Sequence, residues 1–134
     1  MSFSTVERDI EQRLLDNWVA TEVDINPNVD FETPAPGTDW IKLEILHDGA
    51  QRAGPGQPAV IRHRGRIRVD IFTSLDTGTA GSNVYLNILF SLFEEAQFGG
   101  VICETAITNG GGQHRGWWRE RVEFPFWWDG RYNT

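Results

Sequence analysis

The chain has 134 residues, of which 40% are hydrophobic and 23% charged, and a formal net charge of −7. Such a length suits one domain, residues 1–134, that buries roughly two-thirds of its unfolded surface, and the composition excludes general disorder. The longest apolar run, Val84 to Phe93, is broken by Tyr85, Asn87 and Ser91, which is too little for a membrane span.

The start has neither a basic region nor an apolar one, so no signal peptide is expected. The single Cys103 excludes an intrachain disulfide and suits a reducing cytoplasm. Residues 1–48 carry eleven acidic against three basic side chains, and the remainder eight against nine. The acidic overall balance argues against general duplex binding, for which a whole domain is usually basic. Eleven of the twelve basic residues are Arg, and there are six Trp, both residue types favoured at protein interfaces.

In chain order, Phe3, Val6, Ile10, Leu14 and Trp18 recur at helical spacing, with Ser4 and Glu7 as a capping box, and predict a helix from about Thr5 to Val19. Residues 22–39 read as an irregular connection, with one short extended piece at Val29–Phe31. Trp40 to Leu46 alternates as a half-buried strand. The Gly/Pro-rich stretch His47–Pro58 follows as the long tip of a hairpin.

The return strand, Ile61-Arg-His-Arg-Gly-Arg-Ile-Arg-Val-Asp-Ile-Phe72, is the most informative stretch. Alternation puts Arg62, Arg64, Arg66 and Arg68 on one face, and Ile61, Ile67, Val69 and Ile71 on the other, a core face. Such an arginine stripe needs a carboxylate-rich neighbour, a phosphate-bearing partner or water.

A second helix is predicted from Ala80 to about Gln97, ended by Gly99-Gly100 and covered on more than one side. Then come a strand Val101–Ile107, a flexible turn Thr108–Gln113 and a last strand Trp117–Trp127, whose Pro125 suits an edge or a strand end. The expected fold is α+β: a mixed, mainly antiparallel sheet of about four to five strands, two helices packed against it, and a long β-hairpin loop.

Candidates for catalysis are thin. His47, His63 and His114 lie apart, without the short spacings of a zinc site, and neither metal nor cofactor is expected. His63 shares the parity of the core residues and reads as structural. Cys103 with His114 as base is the one nucleophilic pairing to weigh, against a small buried thiol in a strand. Gly78-Thr-Ala-Gly-Ser-Asn83 reads as a helix start capped by Thr79 or Ser82, because it lacks the Gly-Lys-Ser/Thr ending of a nucleotide loop. Trp127 and Trp128 are candidates for an interface.

With these segments placed, the chain resembles the tail terminator proteins of long-tailed bacteriophages, the lambda-type group. The likeness covers about residues 1–128. It rests on an opening helix, Asp39-Trp-Ile-Lys-Leu-Glu-Ile-Leu46, a glycine-rich hairpin loop, Arg64-Gly-Arg-Ile-Arg-Val-Asp-Ile-Phe72, and Gly78-Thr-Ala-Gly81 leading into a helix with Leu92-Phe93. The resemblance implies a structural virion protein of the tail and neck, assembled in the host cytoplasm. It would form a hexameric ring on the completed tail tube, stop tube polymerisation and present the surface for head–tail joining.

Its partners would be copies of itself, the tail tube protein and the head–tail connector or head-completion protein, with DNA only passing through the lumen. Expected interface residues are Glu7, Glu11 and Asp16 on the first helix, with Arg52, Arg62, Arg64, Arg66, Arg68, Trp127 and Trp128. Two alternatives stay open: a connector or minor tail protein, and a nucleic-acid-binding module that uses the arginine stripe with Trp as stacking platforms.

Overall fold

The computed structural model describes residues 1–25, 33–35, 37–76 and 78–132; the extended piece expected at Val29–Phe31 lies outside the described residues. The fold is α+β. Two helices, α1 (Phe3–Asn17) and α2 (Gly78–Phe93), accompany seven strands: β1 (Glu22–Asp24), β2 (Trp40–Arg52), β3 (Ala59–Thr73), β4 (Gln97–Phe98), β5 (Val101–Cys103), β6 (Ile107–His114) and β7 (Trp117–Tyr132).

The sheet runs β1-β2-β3-β7-β5-β4, with β6 also paired to β7. Only the β1–β2 pairing is parallel; every other described pair is antiparallel. The strand number exceeds the four to five expected from the sequence.

Helix α1 begins two residues earlier than expected. Ser2, in extended conformation, is its N-cap and accepts from the backbone N–H of Thr5 at 3.2 Å, so Ser4 lies inside the helix. Glu7 is thereby freed from capping and reaches His47 at 3.0 Å. Val6, Ile10 and Leu14 are fully buried, each burial worth about 2 kcal/mol, whereas Phe3 is 45% exposed. Phe3 still packs edge-on against His47, His63 and Trp128. Arg13 donates from Nε to the backbone oxygen of Leu92 at 2.6 Å, which ties α1 to an orphan carbonyl in the last turn of α2.

The α1 residues join Leu89, Leu92 and Phe93 of α2 in one core with Ile41, Leu43, Ile67, Val69, Ile71, Val122, Phe124, Phe126 and Trp128. All the strand residues in that group share one side of the sheet, so both helices cover the same face.

Helix α2 ends at Phe93, short of the predicted Gln97. The chain then turns through Glu95, at φ +53°, while Ala96 donates back to the Phe93 carbonyl at 3.2 Å. Gly99-Gly100 forms the two-residue turn between β4 and β5 instead of a helix cap, both glycines having positive φ.

The stretch Thr108–Gln113, expected as a turn, is the middle of strand β6. The true turn is Arg115-Gly116, at φ +50° and +86°, flanked by the His114–Trp117 pair. Strand β7 is central rather than an edge, and Pro125 sits within it. The neighbouring strand breaks opposite: β5 pairs with residues 126–127 and β6 with 117–123. A residue without an N–H is placed where the ladder beside it is interrupted.

Candidate functional site

The face of the sheet opposite the helices carries the arginine stripe, and β3 sets its geometry. Antiparallel register puts Arg62 opposite Asp129, Arg64 opposite Trp127 and Arg68 opposite Glu123 on β7. On the other side β2 slips register between His47 and Gly49, a bulge at Asp48. The slip keeps His47 toward Phe3 and Phe126, turns Asp48 onto Arg66, and brings Gly49 and Gln51 beside Arg64 and Arg62. Gly65 is required in the middle of the stripe, because a Cβ there would collide with the backbone oxygen of Leu46 and with the ring of Phe126, 2.6 Å away.

Every guanidinium of the stripe meets a carboxylate of its own chain. Arg62 forms a bidentate pair with Asp129 at 3.0 and 3.1 Å, and its guanidinium lies 3.7 Å above the Trp127 ring. Arg64 reaches Glu104 at 3.5 Å, a longer and more exposed contact. Arg66 holds Asp48 with two bonds, at 2.9 and 3.0 Å, and Glu123 with a third at 2.8 Å. Arg68 donates to the same Glu123 oxygen at 3.1 Å. Farther along, Arg121 clasps Asp70 at 2.7 and 3.1 Å.

Four arginines thus meet the four carboxylates Asp48, Glu104, Glu123 and Asp129. Of the three environments open to the stripe, the structure selects the carboxylate-rich neighbour, supplied from within the chain.

The titration behaviour follows from this pairing. Hydrogen bonds from Arg66 hold Asp48 below the usual carboxylate range, and those from Arg62 do the same for Asp129, against a smaller opposing effect of burial. Burial alone would raise Glu123, but hydrogen bonds from Arg68 and Asn109 and the nearby guanidinium charges bring it below its ordinary value. On α1, burial and then the neighbouring Glu7 raise Glu11. Asp16 is exposed and accepts from Gln12 at 2.6 Å.

Arg52 is turned back on its own hairpin, donating to the carbonyls of Gly54 and Gly56. The hairpin tip, expected over His47–Pro58, is shorter because β2 runs on to Arg52, and it is held from that residue. Trp128 is fully buried in the core and stacks on His63 at 4.1 Å, so it offers no contact surface; Trp127 keeps partial exposure beneath Arg62. The parity of Trp128 with Phe126 and Phe124 carried that signal in the sequence.

The nucleophile pairing does not form. Burial pushes the Cys103 thiol up to about 12, and Cys103 sits on β5, whereas His114 closes β6 at its far end. Among the described residues, no group of three or more His, Cys, Asp or Glu is placed to hold a metal ion, and no helix is long and apolar enough to cross a membrane.

Sequence reasoning missed an aromatic cluster at the β6 end of this face. Trp40 stacks on Phe72 at 4.1 Å, with Trp117 edge-on at 6.2 Å, and the curl of the sheet brings His114 to 6.1 Å from Phe72.

No family model matches the chain, and no curated protein matches it in sequence. Among the solved structures that match is a chain carrying only a sequence identifier as its name. It is 18% identical, with a TM-score of 0.65 over 100% of this chain and 99% of that one. At that identity the likeness is one of fold.

Proposed function

We propose that this chain is a structural component of a long-tailed phage: a tail terminator that caps the completed tube as a hexameric ring and offers the surface that joins the head. Two things support the reading. One is the sequence resemblance over residues 1–128. The other, which carries it, is the character of α2. This helix has 16 residues and no charged side chain, yet Asn83, Val84, Asn87 and Ser91 face outward, with Val84 60% exposed. Interface cores are depleted of charge and rich in apolar surface, whereas a helix that ends in water normally carries charges on its outer side. A neighbouring copy in a closed ring would cover that side.

The arginine stripe then has a different place in the assembly from the one its sequence invites. Its guanidiniums are engaged internally, so it stiffens the sheet rather than presenting free cations to a neighbour. The same neutrality removes the main attraction for a phosphate backbone, which fits a lumen that lets DNA slide. Glu11 and Asp16 on α1, and Trp127 beside Arg62, keep enough surface to serve as contacts at the ring's rim.

The decisive experiment mixes the purified, gold-labelled protein with preformed tail tubes of its own phage under the electron microscope. Label confined to one tube end, with elongation halted, is expected. Label on the isolated head–tail connector and none on tubes would transfer the chain to the connector class and overturn the terminator reading.

A further inference from the structure

Strand β6 pairs with β7 on one side only, and no described strand lies along its other edge. Its sequence, Ile-Thr-Asn-Gly-Gly-Gly-Gln-His, contains no Lys, Pro or acidic residue, and residues 107–111 are exposed. Natural sheets blunt such edges with charge, proline or a covering element, because open main-chain N–H and C=O groups are a template for another strand. Among the described residues this edge has no charge, proline or covering strand; its one irregularity is a bulge at Asn109-Gly110, so the regular ladder open to a further strand is Gly111–His114.

A second observation comes from β7. Arg62, Arg64, Arg66, Arg68 and Arg121 each hold a carboxylate, but Arg119, half-buried on the same face, has no carboxylate partner among the described residues. It lines a cavity of about 250 Å³ with Arg121, Asn109 and Gly110 to Gly112. Register places Gly112 directly opposite Arg119, so the strand position beside Arg119 has no side chain, and a Cβ there would meet nothing within 4 Å.

A strand added beyond β6 would stand about 10 Å from β7, two strand spacings, within joint reach of an arginine and a glutamate side chain. The local field is positive as well: burial first, then the charges of Arg119 and Arg115, lower the proton affinity of His114 on the same strand.

We infer that β6 receives an extended acidic segment of a partner protein as an added strand, with one carboxylate of that segment seated on Arg119. The edge supplies main-chain hydrogen bonds, and the open guanidinium supplies register and charge selection. A nucleic acid strand fits less well, since it needs a series of phosphate contacts and Arg121 and the four arginines of the stripe are already closed on carboxylates. The inference goes beyond the terminator reading and requires neither ring nor tube.

The test uses the isotopically labelled full chain and a peptide of about eight residues alternating Val or Thr with Glu. Saturable amide shifts confined to residues 107–114 and Arg119 are expected. The same peptide with Gln for Glu, and the variant Arg119→Gln, should each weaken binding at least about tenfold, with Arg119→Lys recovering part of it. Methylating alternate peptide amides should abolish binding while leaving the charges in place. Equal binding of the Glu and Gln peptides, shifts elsewhere on the chain, survival of binding after methylation, or tighter binding of oligothymidylate at the same residues would each overturn the inference.

Discussion

Asp48 closes on Arg66 through both carboxylate oxygens, at 2.9 and 3.0 Å, and it does so from a bulge in β2 opposite Gly65 and Arg64. The same guanidinium spends its remaining nitrogen on Glu123 of β7, at 2.8 Å. One arginine in the central part of the sheet therefore fastens the strands on either side of it. Glu123 is the more consequential partner, because its side chain is only 10% exposed and also serves Arg68 and Asn109.

Glu123→Ala should cost about 2 kcal/mol, since it leaves half-buried Arg68 without a carboxylate, while Arg66 keeps Asp48. Glu123→Gln keeps the shape and some hydrogen bonding, and should cost about half as much. Chemical denaturation with unchanged m-value checks both. Equal stability of Glu123→Ala and the parent chain would show that solvent screens the network completely.

Stability should fall on acidification. Asp48, Glu123 and Asp129 all have folded-state affinities for protons below their ordinary values. Their contribution is thus fully present above the ordinary carboxylate range of about 4 and is lost as pH drops through the lowered values. His63, lowered by burial and by His47, and His114 act in the same direction from about 6.5 downward, because the unfolded chain takes up their protons first. Raised Glu11 opposes the trend weakly, being held back by burial and Glu7. Denaturant midpoints across the acid range should decline steadily, and substituting Asp48 by Asn should flatten the steepest part of the curve.

The stripe was legible in the sequence because strand alternation is a local rule, and the faces of Arg62 to Arg68 and of Ile67 to Ile71 needed nothing else. Its partners were not legible. Asp48, Glu104, Glu123 and Asp129 come from three other segments, and only strand register brings them to the arginines. Strand β6 was hidden for a different reason: three successive glycines have turn propensity, and only pairing with the long, strongly β-forming β7 overrides it. Glu7, three residues after Ser4, gave a capping-box signal for the wrong serine, because its carboxylate is taken by His47 and Ser2 caps the helix. The surplus strands β1 and β4 are three and two residues long, too short for any period to show.

Gly65→Ala should destabilise the chain by about 2 kcal/mol or more. The added carbon would meet the Phe126 ring at 2.6 Å as well as the Leu46 carbonyl, and Phe126 is buried with no room to retreat. Thermal unfolding measures the effect. Shortening the ring with Phe126→Leu should lessen the penalty in the double variant below the sum of the two single ones, while strict additivity would place the conflict at the carbonyl.

On the alkaline side the buried thiol sets the trend. Cys103 is held protonated to about 12 by burial, relieved slightly by Arg13, whereas in the unfolded chain it ionises near 8.5. Stability should therefore decrease as pH rises above about 8.5. Cys103→Ala should remove that component, at the cost of a small cavity. In the folded chain the thiol should react with a thiol-specific reagent only as fast as the protein opens. Immediate stoichiometric reaction at neutral pH would contradict the burial of β5.

Val84→Glu separates assembly from folding. The residue is 60% exposed on α2, so a change there should alter monomer stability by no more than about 0.5 kcal/mol. Glutamate is also a better helix former than valine. A neighbouring copy packed on that side would instead have to bury an unpaired carboxylate, which costs several kcal/mol. The variant should unfold at the parent temperature and, on the proposed terminator reading, fail to cap tail tubes, so tubes grown in its presence should overrun their normal length. Tube-length distributions from electron micrographs give the answer. Tubes of normal length with the variant would remove α2 from the contact surface, and with it the observation on which the ring reading stands.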